Sequence, residues 1–173
     1  MNNKILVTYA SRAGSTAGVA EAIGRALSEK GVQVDVLPMQ DVKDLEPYRA
    51  VVAGSAIRGQ KWLPEAMQFM RDYQPELSRK PFASFMVCIT LSMANASQYL
   101  EGLKSWMCPV RDIVYPVSEG YFAGALNFSK LPFSLNVLAM RFVVLIGVWK
   151  QGDHRDWNAI QLWAESLQPL LLR

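Results

Sequence analysis

The sequence predicts an α/β protein: a three-layer α/β/α sandwich around a five-stranded parallel sheet. Strand-length apolar runs alternate with helical periodicity along the whole chain. The first run, around Ile5-Leu6-Val7, has no polar interruption, as expected of a strand covered on both faces. The loop after it, Tyr9-Ala10-Ser11-Arg12-Ala13-Gly14-Ser15-Thr16, is rich in small and hydroxyl residues and opens straight into a helical pattern. At 173 residues, a single domain over 1–173 is expected, with an insert at about 127–153.

The first strand is predicted at residues 4–9. Residues 16–30 form a helix with Val19, Ala20, Ile23 and Leu27 on one face, ending at Gly31. Residues 32–37 alternate, with Gln33 and Asp35 between apolar neighbours, and read as a strand nearer a sheet edge. A short helical turn follows at 41–46, then a third strand rich in small residues at 50–56. Pro64 opens a helix at 64–73, since the first turn does not need its missing N–H. A fourth strand at 82–90 leads to a helix at 94–107 with Leu100, Leu103 and Met107 on one face. Residues 113–117 and 121–126 read as a fifth strand interrupted near 118–120. The last helix, 156–171, directs Trp157, Ile160, Trp163, Ala164 and Leu167 inward. Strands alternating with helices in this way make a parallel sheet with helices on both faces.

In such folds ligands bind beyond the carboxyl ends of the strands, where the strand order reverses. The loops at 11–16, 55–62 and 90–98 therefore carry the site. In the first, a helix N-terminus supplies unpaired N–H groups and a positive dipole end, a combination that holds phosphate. Ser11, Ser15 and Thr16 add hydroxyls, and Gly14 permits close backbone approach. The sequence has neither the G-x-G-x-x-G dinucleotide fingerprint nor the G-x-x-x-x-G-K-[ST] loop of NTPases. The loop reads as a handle for a phosphate-bearing cofactor; an ordinary Ser/Thr helix cap is the alternative. In the second loop Gly54 and Gly59 permit tight turns, and Trp62 has two readings: stacking on a cofactor ring, or packing at the start of the next helix. The third offers Thr90, Leu91 and Ser92, with Ser97 suited to capping the helix that follows.

Composition excludes several classes. A net charge of +3 without any Lys/Arg-rich run argues against nucleic acid. Cys88 and Cys108 lack zinc spacing, and Cys88 lies in an apolar run that predicts a buried, inert thiol. With one histidine, His154, neither a His-based metal site nor a His-dependent triad is expected. Residues 1–4 lead straight into a strand without a signal peptide, so a cytoplasmic protein is expected.

The pattern Ser11-x-x-Gly14-x-Thr16 after the first strand resembles the phosphate loop of flavodoxins, and the chain resembles that superfamily over nearly its whole length. Within it, residues 11–16, Gly54-Ser55-Ala56-Ile57-Arg58, Ala123-Gly124-Ala125-Leu126 and Asp156-Trp157 resemble the menaquinone-dependent protoporphyrinogen IX dehydrogenase family. That family's second loop continues with an aromatic after the Arg, where this chain has Gly59. The resemblance implies a flavodoxin-like sheet of order 2-1-3-4-5 and FMN as cofactor. The FMN contacts expected are Ser11, Arg12, Ala13, Gly14, Ser15, Thr16, Ser55, Ala56, Ile57, Arg58, Gly59, Trp62, Thr90, Leu91 and Ser92. No side-chain nucleophile or acid–base pair stands out, so the flavin carries the chemistry; Arg58 and Lys61 would favour negative charge on the reduced ring and raise its potential. Many flavodoxins stack a third-loop Tyr on the flavin; here the first aromatic is Tyr99, which leaves a ring face open to a second substrate. The implied function is electron transfer from a reduced donor, of porphyrinogen type, to a quinone in heme biosynthesis. The alternatives are a non-catalytic flavodoxin carrying electrons between proteins, and a flavin-free interaction module. Electron-carrying flavodoxins are strongly acidic, and this chain is not.

About 27 residues separate Leu126 from the last helix, far more than an ordinary connection. Within 131–149 only Arg141 is charged, and apolar residues including Phe142 and Trp149 cover nearly every side of a helix. Polar interruptions leave it short of a bilayer span. Three hosts suit it: the protein's own core, a second subunit in a homodimer, or a membrane face or lipophilic substrate. The resemblance favours the last, as peripheral contact on the inner membrane face, because quinones are membrane-soluble. Lys130, Arg141, Lys150 and Arg155 would then meet lipid phosphates or substrate carboxylates.

Overall fold

The computed structural model describes residues 4–29, 31–93, 95–126, 144–145 and 152–172. The helix expected within 131–149 and its three hosts lie almost wholly outside these residues. In chain order the elements are β1 (Lys4–Ala10), α1 (Ser15–Ser28), β2 (Gln33–Pro38), β3 (Ala50–Arg58), β4 (Lys61–Trp62), α2 (Pro64–Asp72), α3 (Gln74–Leu77), β5 (Phe82–Cys88), α4 (Ala96–Lys104), α5 (Cys108–Ile113), β6 (Ser118–Ala123), β7 (Ala125–Leu126), β8 (Gly152–Asp153) and α6 (Trp157–Leu171).

Five strands pair in parallel in the order β2-β1-β3-β5-β6, which is the expected 2-1-3-4-5 arrangement. The alternating strand β2 lies at one edge. Strand side chains alternate between two apolar layers. Ile5, Val7 and Val52 meet Val19, Ile23 and Leu27 of α1 and Ile160, Ala164 and Leu167 of α6. Leu6, Val51 and Met86 meet Phe69 and Met70 of α2 and Val110 of α5. Burial on both faces is why β1 and β5 read as continuous apolar runs. Because the strands are parallel, Ala10, Arg58, Cys88 and Ala123 end on one side, and the order reverses between β1 and β3.

Several boundaries differ from expectation, each for a local reason. The turn expected at 41–46 is a single turn at Met39–Asp41. Beyond it the Asp44 side chain accepts the Glu46 N–H at 3.1 Å, a local bond that competes with helix. The helix expected at 94–107 stops at Lys104, and after one turn α5 starts with Pro109 in its first turn, where a proline cannot continue a helix ladder. The fifth strand is unbroken through 118–120, while 113–117 is not strand. Gly120 sits mid-strand because the Phe122 ring occupies the place of a side chain there: an added Cβ would lie 2.7 Å from it. Gly54 likewise lies inside β3, not at a turn, with the Phe85 ring 2.1 Å from an added Cβ. No described helix is long and apolar enough to cross a membrane.

Candidate functional site

The first loop joins β1 to α1 across the reversal in strand order. Gly14, at φ 85°, is the N-cap of α1, a left-handed conformation that glycine adopts without strain. Ser11 Oγ accepts the Gly14 N–H at 3.0 Å and so winds the loop into shape. No side chain caps the helix, and its first turn holds no acidic residue. Gly18 N–H is the first to close onto the helix, donating to Gly14 O at 3.2 Å; among the described residues the N–H groups of Ser15, Thr16 and Ala17 find no acceptor. Beside them the Thr16 hydroxyl is fully buried and also has no hydrogen-bond partner. A buried orphan hydroxyl is unfavourable unless something completes it. Uncapped amides and an orphan hydroxyl, in a first turn without an acidic residue and with the neighbouring carboxylates Glu65 and Asp153 each paired to an arginine, fit a phosphate ester, and the plain Ser/Thr cap does not describe them.

The second loop is a hairpin that the sequence did not reveal. β3 turns through Gly59 (φ 55°) and Gln60 (φ 65°) into β4, pairing Ile57 with Trp62 and Arg58 with Lys61. Two successive left-handed residues match the right-handed twist of the arms. The polar groups at its base are satisfied internally. Ser55 is fully buried; its hydroxyl accepts the Leu63 N–H at 3.0 Å and donates to Ala56 O at 2.8 Å. Trp62 is 3% exposed and its indole N–H donates to Met107 Sδ at 3.1 Å, so the ring packs in the core. The stacking reading of Trp62 is thereby corrected to the packing one. Ala56 and Ile57 are half-buried; Arg58, Gly59 and Lys61 are exposed.

Arg12, Arg58 and Lys61 line one recess of about 510 Å³ with Trp62, Leu63 and Pro64. Arg12 pairs with Glu65 at 3.0 Å, half exposed. A smaller cavity of about 190 Å³ adjoins it, lined by Tyr9, Ala10, Ser11, Pro38, Met39, Gln40 and Glu65. Burial, then the charges of Glu21 and Asp41, push the Tyr9 phenol upward, so it stays neutral at physiological pH. The third loop is a single turn, Ile89–Ser92, in which Ser92 Oγ donates to Ile89 O at 2.7 Å; Thr90, Leu91 and Ser92 are half-buried. Tyr99 lies further along, on α4, 50% exposed.

The return from the insert also reaches the first loop. β8 pairs with β7, and His154 N–H donates to Gly124 O at 3.2 Å. Gly124 lies against Ser15, whose Oγ would be 3.6 Å from an added Cβ. Arg155, one of the cations expected to meet lipid phosphates or substrate carboxylates, bonds Asp153 and Ser15 O within the protein. Trp157, expected inward, is 43% exposed and lies beneath Arg155. These contacts join three segments distant in sequence, and no local pattern signals them. Among the described residues no group of His, Cys, Asp or Glu is arranged to hold a metal ion.

Fold and loop together define a flavodoxin-type protein, and the comparisons agree. Residues 6–152 match the Flavodoxin domain family, and the chain belongs to that family. FMN is the cofactor its members bind, and this chain's cofactor. A protoporphyrinogen IX dehydrogenase [quinone] of Leishmania major is 26% identical over 98% of this chain and 76% of its own length. Among solved structures, the flavodoxin of Streptococcus pneumonia TIGR4 superposes with a TM-score of 0.60 at 15% identity, covering 96% of this chain and 98% of that one. Oxidised Flavodoxin 2 from Bacillus cereus gives 0.57 at 19% identity, covering 93% and 94%.

Proposed function

We propose that this chain is an FMN-dependent oxidoreductase that moves electrons from a reduced donor of porphyrinogen type to a quinone. The observation that carries the reading is the uncapped first turn of α1 with its orphan Thr16 hydroxyl, in a chain similar to a quinone-dependent dehydrogenase over nearly its whole length. The N–H groups of Ser15, Thr16 and Ala17 and the Thr16 hydroxyl hold the phosphate; Ser11 and Gly14 shape the loop. Ala56, Ile57, Arg58 and Gly59 of the hairpin and Thr90, Leu91 and Ser92 of the third loop are the residues that border the ring. FMN held by these residues would supply two-electron redox chemistry between donor and acceptor.

The recess supports an anionic substrate. Arg58 and Lys61 are direct cross-strand partners, like charges that repel. Among the described residues no carboxylate pairs with either; Arg12, on the same recess, is paired with Glu65. A carboxylate-bearing donor, as porphyrinogens are, would offset that repulsion, and a neutral one would not. The quinone reading rests on the resemblance of residues 11–16, 54–58, 123–126 and 156–157 and on the Leishmania relative. Homodimer or peripheral membrane contact through residues 131–149 belongs to the same proposal, since quinones partition into lipid.

The test is to purify the protein, identify its released chromophore, titrate the stripped chain with FMN and riboflavin, and follow quinone reduction with a porphyrinogen as donor. FMN bound much more tightly than riboflavin, with quinone turnover, is the expected result. A yellow protein that turns over no quinone would favour the electron-carrier alternative. Equal affinity for the two flavins would end the phosphate-loop reading. Liposome flotation and sedimentation separate membrane contact from dimerisation.

A further inference from the structure

Arg155 is a mostly buried cation, its side chain 17% exposed, held in one place by four contacts. Its guanidinium takes both carboxylate oxygens of Asp153, at 2.7 and 2.6 Å. It lies over the Trp157 ring, with Cζ 4.3 Å from the centroid. Its remaining terminal nitrogen, Nη1, donates to the backbone oxygen of Ser15, in the first turn of α1, at 3.3 Å. Gly18 makes room for it: a Cβ there would lie 2.4 Å from Nη1.

The placement runs against helix electrostatics. A cation beside the first turn opposes the positive end of the helix dipole and belongs, for the helix's own sake, at the other end. Gly18 is a second feature unfavourable to the helix, because glycine is a poor helix former and one turn in from the end it is not a cap. Asp153 offsets much of the charge but does not explain why the nitrogen left over is directed at this turn. Both features become favourable if the first turn faces an anion.

We propose that Arg155 is a positioning residue for the phosphate loop: it fixes the first turn of α1 from behind so that the amides of Ser15, Thr16 and Ala17 converge on a phosphate ester, and Gly18 is the space that admits it. The proposal rests on the reading that the first loop holds the phosphate of FMN. It assigns the last loop before α6, 140 positions from Ser15, a part in cofactor affinity. A purely structural role for Arg155 would change stability alone and leave discrimination between phosphorylated and unphosphorylated flavins intact.

Three variants of the full-length chain test it: Arg155→Gln, Arg155→Lys and Gly18→Ala, each stripped of flavin and titrated with FMN and with riboflavin, with melting temperature recorded. In Arg155→Gln the FMN Kd should rise about tenfold, the scale of one charge-assisted contact, while riboflavin affinity stays within about twofold. Arg155→Lys should fall between it and wild type, because it keeps the charge and loses the fork. Gly18→Ala is the sharper probe. The group in the way is the far end of a flexible side chain, so the arginine is displaced and the helix keeps its shape. Alanine should lower the melting temperature less than Arg155→Gln does, because helix propensity improves and the Asp153 pair can persist, yet weaken FMN as Arg155→Gln does. An FMN-to-riboflavin preference the same in Gly18→Ala and Arg155→Gln as in wild type overturns the role of Arg155 and leaves the phosphate loop standing. A wild type with no preference for FMN overturns both.

Discussion

β1 and β3 lie side by side, with Ala10 directly opposite Ser55, yet the loops leaving them treat their polar groups in opposite ways. The first has Ser11 just beyond its strand, the second has Ser55 near the end of its strand, and both turn through left-handed residues. In the hairpin after β3, Ser55 and the Trp62 indole are satisfied within the protein. In the loop after β1, three amides and the Thr16 hydroxyl are not. The difference teaches that a hydroxyl or an indole near the reversal of strand order does not mark a ligand contact by its type. An unpartnered hydroxyl is not enough either, since Thr8 and Ser84 are also buried without a partner inside the sheet; Thr16 is informative because its orphan hydroxyl lies beside three unpaired amides at a helix start.

The strongest way to break this comparison is Gly14→Asp. It places a carboxylate where the phosphate is expected and forces a non-glycine residue to φ 85°. FMN affinity should fall by about a hundredfold or more, with riboflavin affected far less; isothermal titration with both ligands checks it. Ser55→Ala tests the other loop. It strands the buried Leu63 N–H and should cost about 1–3 kcal/mol in urea unfolding, without changing the ratio of FMN to riboflavin affinity. A changed ratio would place Ser55 against the cofactor after all. Thr16→Val keeps the shape and removes only the orphan hydroxyl. It should weaken FMN about tenfold while leaving the stability of the flavin-free chain unchanged or slightly higher, since no hydrogen bond is lost.

Arg58→Gln asks whether the hairpin tip influences the ring. The two-electron midpoint potential should become more negative by on the order of 10–30 mV, measured against a reference dye. No shift, or a positive one, would remove Arg58 from the ring's surroundings. The smallest effect comes from acid, away from both loops. Burial tends to raise the Glu119 carboxyl, but hydrogen bonds from Arg111, at 2.7 and 2.6 Å, and from Tyr121 hold it below its ordinary 4.5. A depressed carboxylate stabilises fully above that ordinary value and loses its contribution as pH falls through the folded value. Melting temperature should therefore hold from pH 7 to about 5 and decline below, with a shallower decline in Glu119→Gln and the same preference for FMN.

The sheet and the first loop were legible in the sequence because both are written locally. Ile5-Leu6-Val7 declares a doubly covered strand, and Ser11, Gly14 and Thr16 lie within one turn of each other. The hairpin was not, because Gly59-Gln60 lacks the usual turn pair and its arm β4 is two residues long. Gly54 and Gly120 suggest turns but are required by the aromatic rings of Phe85 and Phe122, partners distant in sequence or, for Phe122, placed by sheet packing. Trp157 has the spacing of the apolar face of α6, and only the position of Arg155 shows why it stays outside. Long-range partners of single residues are what periodicity cannot encode.

α1 and α6 lie together on one face of the sheet, the first near the beginning of this sequence and the second more than a hundred residues later. On the ribosome, where chains grow at roughly 5–20 residues per second, the apolar stripe of α1 must wait on the order of ten seconds for its partner helix to emerge. The loop that opens α1 is thus synthesised well before the contact that finishes it. Flavin loading is expected to follow the emergence of Arg155 and α6, and a nascent chain stalled before Arg155 should carry α1 and its loop yet retain FMN poorly.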